Sequence, residues 1–135
     1  MKLLMRFPGP LDLSVDKIRA AVESGFTINH VNNGQKGVAD FAIKHMLTDE
    51  DDNLYICTDT SRYVYKYKGT NGEIVKDSGA AKLTKAIYNP IKDKASQITT
   101  GIDCDDIDSG KYMSIMTLNN NNTEFCSRLA EQLQS

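Results

Sequence analysis

Residues 62–68 contain three cationic side chains interspersed with three tyrosines. Arg62 and the lysines can pair with phosphate groups, and the tyrosines between them offer rings on which bases or sugars can stack. The same pattern is typical of an amphipathic strand whose rings form the core while its lysines face water, and both interpretations stay open. The candidate nucleic-acid-binding residues here and in the lysine-rich stretch that follows are Arg62, Tyr65, Lys66, Lys68, Lys82 and Lys85, with Tyr63 and Tyr67 as further stacking candidates.

A second candidate for anion binding lies at Gly34-Gln35-Lys36-Gly37. Glycines at the start of a helix expose backbone N–H groups, and Lys36 adds a positive charge that suits a single phosphate contact. The full Gly-x₄-Gly-Lys-Ser/Thr spacing of a nucleoside triphosphate site is absent. The alternative, which the sequence favours, is a glycine-bounded turn that sets the approach of the next helix.

Side chains that commonly carry catalysis or bind metals are few and scattered. His30, His45 and the three cysteines form no Cys-x-x-Cys or His-x₃-His pair of the kind that binds zinc. The acidic residues 103–108 lack the glycine and the late glutamate of a calcium loop and predict an exposed loop. Because no nucleophile, base and oxyanion donor can be assembled, we expect no enzyme, no metal and no cofactor.

The charges are unevenly distributed along the chain, although the formal net charge is only −2. Residues 59–98 contain eight Lys or Arg and four Asp or Glu, a local balance of +4, whereas both flanking parts are acidic. Such a segment is a candidate footprint for a polyanion, although a solvated surface gives the same pattern. A length of 135 residues with 40% hydrophobic residues fits one soluble domain with one core.

The start of the chain and the cysteines bear on its compartment. Arg6 and Pro8 interrupt the apolar start before the hydrophobic region of a signal peptide can form, and no apolar run is long enough for a membrane span. Three widely spaced cysteines, Cys57, Cys104 and Cys126, fit reduced core thiols better than a disulfide framework. We therefore expect an intracellular protein of the cytoplasm or nucleus with no membrane partner.

Two helices are predicted in the first third of the chain. Ser14 and Gly25 bracket the first, over about residues 15–24, as an N-cap and a stop signal. Residues 25–34 form either a short helix or an irregular connection. Apolar residues at helical spacing predict the second helix over residues 35–47.

Further helices are predicted in the last third. One starts near Ala80 and is expected to end before Pro90, because proline lacks an N–H and its ring disfavours continuation, and another helical segment follows. The sequence leaves residues 112–118 undecided between helix and strand. A capping box of Asn121 and Glu124 predicts the start of the last helix.

The strand signals lie together in the middle of the chain. Residues 49–53 carry four carboxylates and are expected to be a hydrated loop. Residues 54–58 are rich in aromatic and β-branched types, and residues 62–77 predict a β-hairpin around the turn at 69–72 with its Asn-Gly signal. The predicted fold is α+β over residues 1–135 as a single domain: a small antiparallel sheet with a β-hairpin, flanked by N- and C-terminal helices.

Residues 34–41, 55–62 and 72–77, together with Lys82-Leu83-Thr84, are similar to a domain of uncharacterised proteins of giant DNA viruses (mimivirus-like). The resemblance covers about residues 28–90. In those proteins the domain follows a zinc-finger-like or coiled-coil segment that this sequence lacks. The resemblance implies a viral origin and, through that neighbouring segment, a nucleic-acid or virus-factory role, and it supplies no catalytic residues.

Together these observations predict a small nucleic-acid-binding domain, viral and regulatory or genome-associated, in the host cytoplasm or nucleus. Its contacts would go mainly to phosphates, with weak sequence preference. The alternative is a non-enzymatic protein-interaction or virion-structural module. In that case the tyrosines and the last helix would form a homodimer or dock a protein partner.

Overall fold

A computed structural model describes residues 9–134 of the chain. The opening segment, with Arg6 and Pro8, lies outside the described residues, as does Ser135. Helices flank the strands on both sides in chain order. The helices are α1 (Val15–Gly25), α2 (Ile28–Val31), α3 (Gly34–His45), α4 (Ala81–Thr100), α5 (Ser109–Met116) and α6 (Thr123–Gln132), and the strands are β1 (Thr48–Asp49), β2 (Asp52–Asn53), β3 (Tyr55–Asp59), β4 (Val64–Lys68) and β5 (Ile74–Ser78).

The predicted hairpin is confirmed. Strands β3, β4 and β5 form an antiparallel sheet in that order, and β4 pairs with β5 from Val64 opposite Ser78 to Lys68 opposite Ile74. The expected loop at residues 49–53 is instead part of a second small hairpin, in which β1 pairs with β2. Its carboxylates remain exposed, so the local pairing satisfies backbone groups without burying charge.

The helices pack with one face of the three-stranded sheet around a shared hydrophobic core. Tyr55 and Tyr65 of the sheet are fully buried together with Phe41 of α3, Leu83 of α4 and Phe125 of α6. The α+β prediction with flanking helices is therefore confirmed. The short helix α2 settles the ambiguity at residues 25–34, and residues 112–118 fall mostly within helix α5.

The predicted helix boundary at Pro90 is wrong. Helix α4 runs through the proline without a break, and Pro90 is itself buried. Residues Ile87, Ile91 and Ala95 of the same helix are fully buried around it, and α4 packs against α1. Burial of this apolar face offsets the loss of one helical hydrogen bond, which is how tertiary packing overrides a local helix-breaking signal.

Two smaller expectations also change. The last helix is capped differently from the predicted box, because Asn122 is its N-cap residue and Asn121 accepts the Thr123 N–H at 3.1 Å. Cys57 and Cys126 are buried free thiols as expected for core cysteines, whereas Cys104 is exposed.

A buried carboxylate joins the sheet to helix α4. Asp77 of β5 is 1% exposed. It accepts the backbone N–H groups of Lys82 and Leu83 at 2.8 and 3.0 Å, and the Tyr55 hydroxyl donates to it at 2.9 Å. These N–H groups have no helical acceptor in the first turn, so Asp77 does from the sheet what an N-cap side chain normally does. This contact fixes the first turn of α4 beneath β5.

Candidate nucleic-acid interface

The sheet turns one row of lysines away from the helices. Strand alternation places Lys66 and Lys68 of β4 and Lys76 of β5 on the side opposite the buried tyrosines, and we call these three residues the lysine face. Lys66 stands directly opposite Lys76 on β5 and opposite Ile56 on β3. The two predicted lysines of β4 therefore share a surface with a third lysine from the neighbouring strand.

The Lys66–Lys76 pair sets two like charges side by side. Directly opposed residues of antiparallel strands have Cβ atoms about 5 Å apart, and like charges there destabilise a sheet. The ion pairs within residues 9–134 use other cations, Arg19, Arg62, Lys94 and Arg128. The lysine face therefore carries positive charge that no carboxylate of the described chain neutralises by a direct ion pair.

The tyrosines between these lysines lie on the inner face. Tyr65 is fully buried, stacks on Tyr55 with ring centroids 5.0 Å apart, and donates its hydroxyl to the Cys126 carbonyl at 2.6 Å. Tyr67 is 8% exposed and also stacks on Tyr55, with ring centroids 5.8 Å apart. Burial raises the pKa of both Tyr65 and Tyr55. The prediction that Tyr65 offers a ring to a base needs correction, because its ring has no exposed surface.

Arg62 and Tyr63 lie in the turn before β4. Arg62 is exposed, and its guanidinium is 3.8 Å from the Asp59 carboxylate. Asp59 also holds the turn by accepting from Ser61 and from the Arg62 N–H, and the hydrogen bond from Ser61 is the main reason that the pKa of Asp59 is lowered. Arg62 is therefore a weaker phosphate candidate than the sheet lysines, since its charge is partly balanced.

The remaining predicted cations lie on two different helices. Lys82 and Lys85 are exposed in the first two turns of α4, close to the end of β5. Lys36 is exposed on α3, which packs chiefly against α2, α5 and α6. The structure thus brings the lysines of α4 near the sheet, and it places Lys36 on an element that serves the helical side of the core.

The glycines around Lys36 have a packing role. A Cβ at Gly37 would lie 2.0 Å from the carbonyl oxygen of His30, and one at Gly34, where φ is +64°, would lie 2.8 Å from the Ser114 hydroxyl oxygen. Gly37 therefore permits the close approach of α2 to α3, and Gly34 the approach of α5. This favours the glycine-bounded turn over the phosphate site.

The regions at the two ends of helix α4 also differ in charge. Its 20 residues span about 30 Å, and its N-terminal end lies at the sheet with Lys82 and Lys85. The acidic residues 103–108 follow its C-terminal end and contact the end of α2, where the side chain of the C-cap residue Asn32 bonds to the backbone of Asp106 and Asp108. The positive end of the helix dipole and the basic side chains therefore coincide at the sheet.

Lys76 and Ser78 were not among the candidate site residues predicted from the sequence. Both lie on the outer face of β5, at the positions opposite Lys66 and Val64. The register of the hairpin was the signal that could have found them, since a turn at residues 69–72 sets which residues of the two strands face each other.

Within residues 9–134 no three His, Cys, Asp or Glu side chains converge as metal ligands would. The helices of this same part of the chain are all too short or too polar to cross a bilayer.

None of the known protein families, curated proteins or solved structures compared with the chain matches it. The similarity to giant-virus proteins therefore stays a prediction, and the function proposed below rests on the site alone.

Proposed function

We propose that this is a non-enzymatic domain that binds nucleic acid through the lysine face, mainly by phosphate contacts and with weak sequence preference. The observation that supports this most is the Lys66–Lys76 pair with Lys68 beside it. Without a ligand, two opposed like charges only destabilise the sheet. The same charges increase the affinity for a polyanion, because each phosphate that they neutralise releases counterions.

In this proposal Tyr65 and Tyr67 take the core role, which is one of the two that the sequence left open. Tyr65 and Tyr67 stiffen the sheet from its buried side and leave recognition to charge. Lysines that contact phosphates carry no sequence information directly, so they position a nucleic acid without reading its bases. A viral regulatory or genome-associated role rests on the giant-virus resemblance and remains a prediction with it.

The test is fluorescence anisotropy with single- and double-stranded DNA and RNA at two salt concentrations. We expect affinity to fall steeply with salt, and Lys66→Ala together with Lys76→Ala should lower the salt slope by about 1 for each phosphate that the variant no longer neutralises. Lys44→Ala on α3 is the matched control, because Lys44 is also exposed and lies on another element. Absence of binding to all four ligands at low salt would exclude the proposal.

A protein-interaction module is the second candidate, and one observation favours it. Ile56, Val64 and Ile74 share the outer face with the lysines, and Ile74 is 51% exposed. Apolar residues at such a surface can dock a second copy or a partner protein. Light scattering that reports a concentration-independent dimer, unchanged by DNA or heparin, would favour this candidate over nucleic-acid binding.

A further inference from the structure

A groove opens beside the lysine face. It has a volume of about 560 Å³ and lies between the end of β5, one side of α4 and the connection from α5 to α6. Its walls include Lys85, Tyr88 and Asn89 of α4 and Asn119 and Asn120 of the connection. This volume lies within the range of about 300–1,000 Å³ that is usual for small-ligand sites.

The floor of the groove is held in place by buried or half-buried polar contacts. Asn122 donates its side-chain amide to the Gly79 carbonyl and to the Thr84 hydroxyl, both at 2.9 Å. The Cys126 thiol also donates to the Gly79 carbonyl at 3.2 Å, and burial raises its pKa to about 11, so it stays a protonated donor. A floor fixed in this way keeps the walls at a set separation, as a binding site requires.

The walls present polar groups that the fold does not use. The side chains of Asn89, Asn119 and Asn120 are exposed and make no hydrogen bond to another residue between 9 and 134. Lys85 and Lys92 lie seven residues apart on the same side of α4, with the Lys92 amino group 5.4 Å from the centre of the Tyr88 ring. Among the described residues, no carboxylate lines the groove.

This combination of groups suits one class of ligand. Side-chain amides carry a donor and an acceptor, so they can pair with two positions on the edge of a base, and lysine suits a phosphate. The hydroxyl of Tyr88 is already bonded to the Met116 carbonyl at 2.6 Å, which leaves its ring as an apolar wall. A nucleotide matches these three groups of the groove. Its base has an edge with donors and acceptors for the amides, its phosphate is anionic and suits lysine, and its flat ring suits the apolar wall.

The groove also continues from the lysine face. Ser78 lines it and lies two residues after Lys76 on the outer side of β5, which is a separation of about 7 Å along the strand. A strand whose phosphates contact Lys66 and Lys76 and that continues past Ser78 would therefore meet Lys85 at the groove. A base within a duplex already uses its Watson–Crick edge for pairing, so only an unpaired base can offer this edge to the asparagines.

We infer that this groove takes an unpaired nucleotide of a strand bound on the lysine face, so that the domain prefers single-stranded over double-stranded nucleic acid. The inference rests on the proposed function and names its ligand more closely. A free mononucleotide is the other source of the same chemistry, and the experiment separates the two.

The test compares single- and double-stranded oligonucleotides of one sequence by anisotropy, with the wild type and the double variant Asn89→Ala/Asn120→Ala. The wild type should prefer the single strand about fivefold or more, the size of one bidentate amide–base contact, and the variant should lose this preference while keeping its salt slope. Asn29→Ala is the matched control, because Asn29 is also an exposed asparagine and lies on α2.

A second measurement follows the side-chain amide NMR signals of the asparagines as AMP or CMP is added at millimolar concentration. Shifts at Asn89 and Asn120 together with single-strand preference support the inference. Equal binding of both strand forms, weakened by the lysine-face variants, would overturn it and leave the proposed function standing. Mononucleotide shifts without oligonucleotide binding would assign the groove to a free nucleotide and overturn strand capture. No response in either experiment would overturn both proposals.

Discussion

The two faces of the three-stranded sheet are built from alternate residues of the same strands and have opposite chemistry. The inner face of β4 carries Tyr65 and Tyr67, whose buried rings both stack on Tyr55, and its outer face carries Lys66 and Lys68. Across on β5, the inner face contributes the buried Asp77 and the outer face Lys76. The sheet thus keeps a satisfied carboxylate inside and a row of solvated cations outside.

The two faces satisfy their polar groups in different ways. Asp77 is tolerated in the core because three donors bond to it, and the phenol of Tyr65 is tolerated because the Cys126 carbonyl accepts from it. On the outer face water can solvate the lysines, so no partner is needed. The inner face should therefore govern stability, and the outer face should govern binding.

Neighbouring substitutions on the two faces should have very different effects on stability. Tyr65→Ala removes a fully buried ring and should lower the free energy of unfolding by roughly 3–5 kcal/mol. Lys66→Ala, one residue away on the other face, should stay within about 0.5 kcal/mol of the wild type. Urea unfolding followed by circular dichroism measures both, and similar losses for the two variants would contradict the assignment of the faces.

Removal of the buried carboxylate should come next in size. Asp77→Ala leaves the Tyr55 hydroxyl and two backbone N–H groups of α4 without their acceptor, so we expect a loss of about 2–3 kcal/mol in unfolding free energy. Asp51→Ala is the control, because Asp51 is exposed in the turn between β1 and β2. A loss below about 1 kcal/mol, measured by the same unfolding experiment, would mean that Asp77 does not hold α4 to the sheet.

A substitution on the outer face should have the smallest effect on stability, and whether it raises or lowers stability is informative. Lys76→Glu replaces the opposed like charges with an attractive pair to Lys66 and should stabilise the sheet by about 0.2–1 kcal/mol. The same variant should bind nucleic acid more weakly, because it turns a phosphate contact into a repulsion. A rise in melting temperature with unchanged binding would show that the lysine face is only a solvated surface.

Local signals were sufficient for much of the fold. The Asn-Gly turn at residues 69–72 and the flanking β-branched and aromatic residues predicted the β4–β5 hairpin, cap and stop signals predicted α1, and helical spacing predicted α3. These signals depend on residues close together in the chain, and the structure agrees with them. Pro90 was misleading because its local effect on a helix is outweighed by packing against α1, which lies about 70 residues away in sequence.

The candidate site was predictable only in part. Sequence alone identified Lys66, Lys68, Lys82 and Lys85 as cations of a basic segment. It could not find the groove, because Asn119 and Asn120 come to Lys85 only when the connection between α5 and α6 packs beside α4. Contacts between residues this far apart depend on how whole elements pack, and no periodicity within one segment encodes them.

That the strand 64–68 has a tyrosine side and a lysine side follows from the amino-acid order, because side chains alternate across any strand. Which of these sides meets the helices follows only from the packing of the whole chain. A tyrosine ring suits either the core or a binding surface, since it is apolar along its body and polar at its tip. The partners for those tips come from other parts of the chain: Asp77 reaches Tyr55 only when β5 has joined the sheet, and the Cys126 carbonyl reaches Tyr65 only when α6 has packed on it.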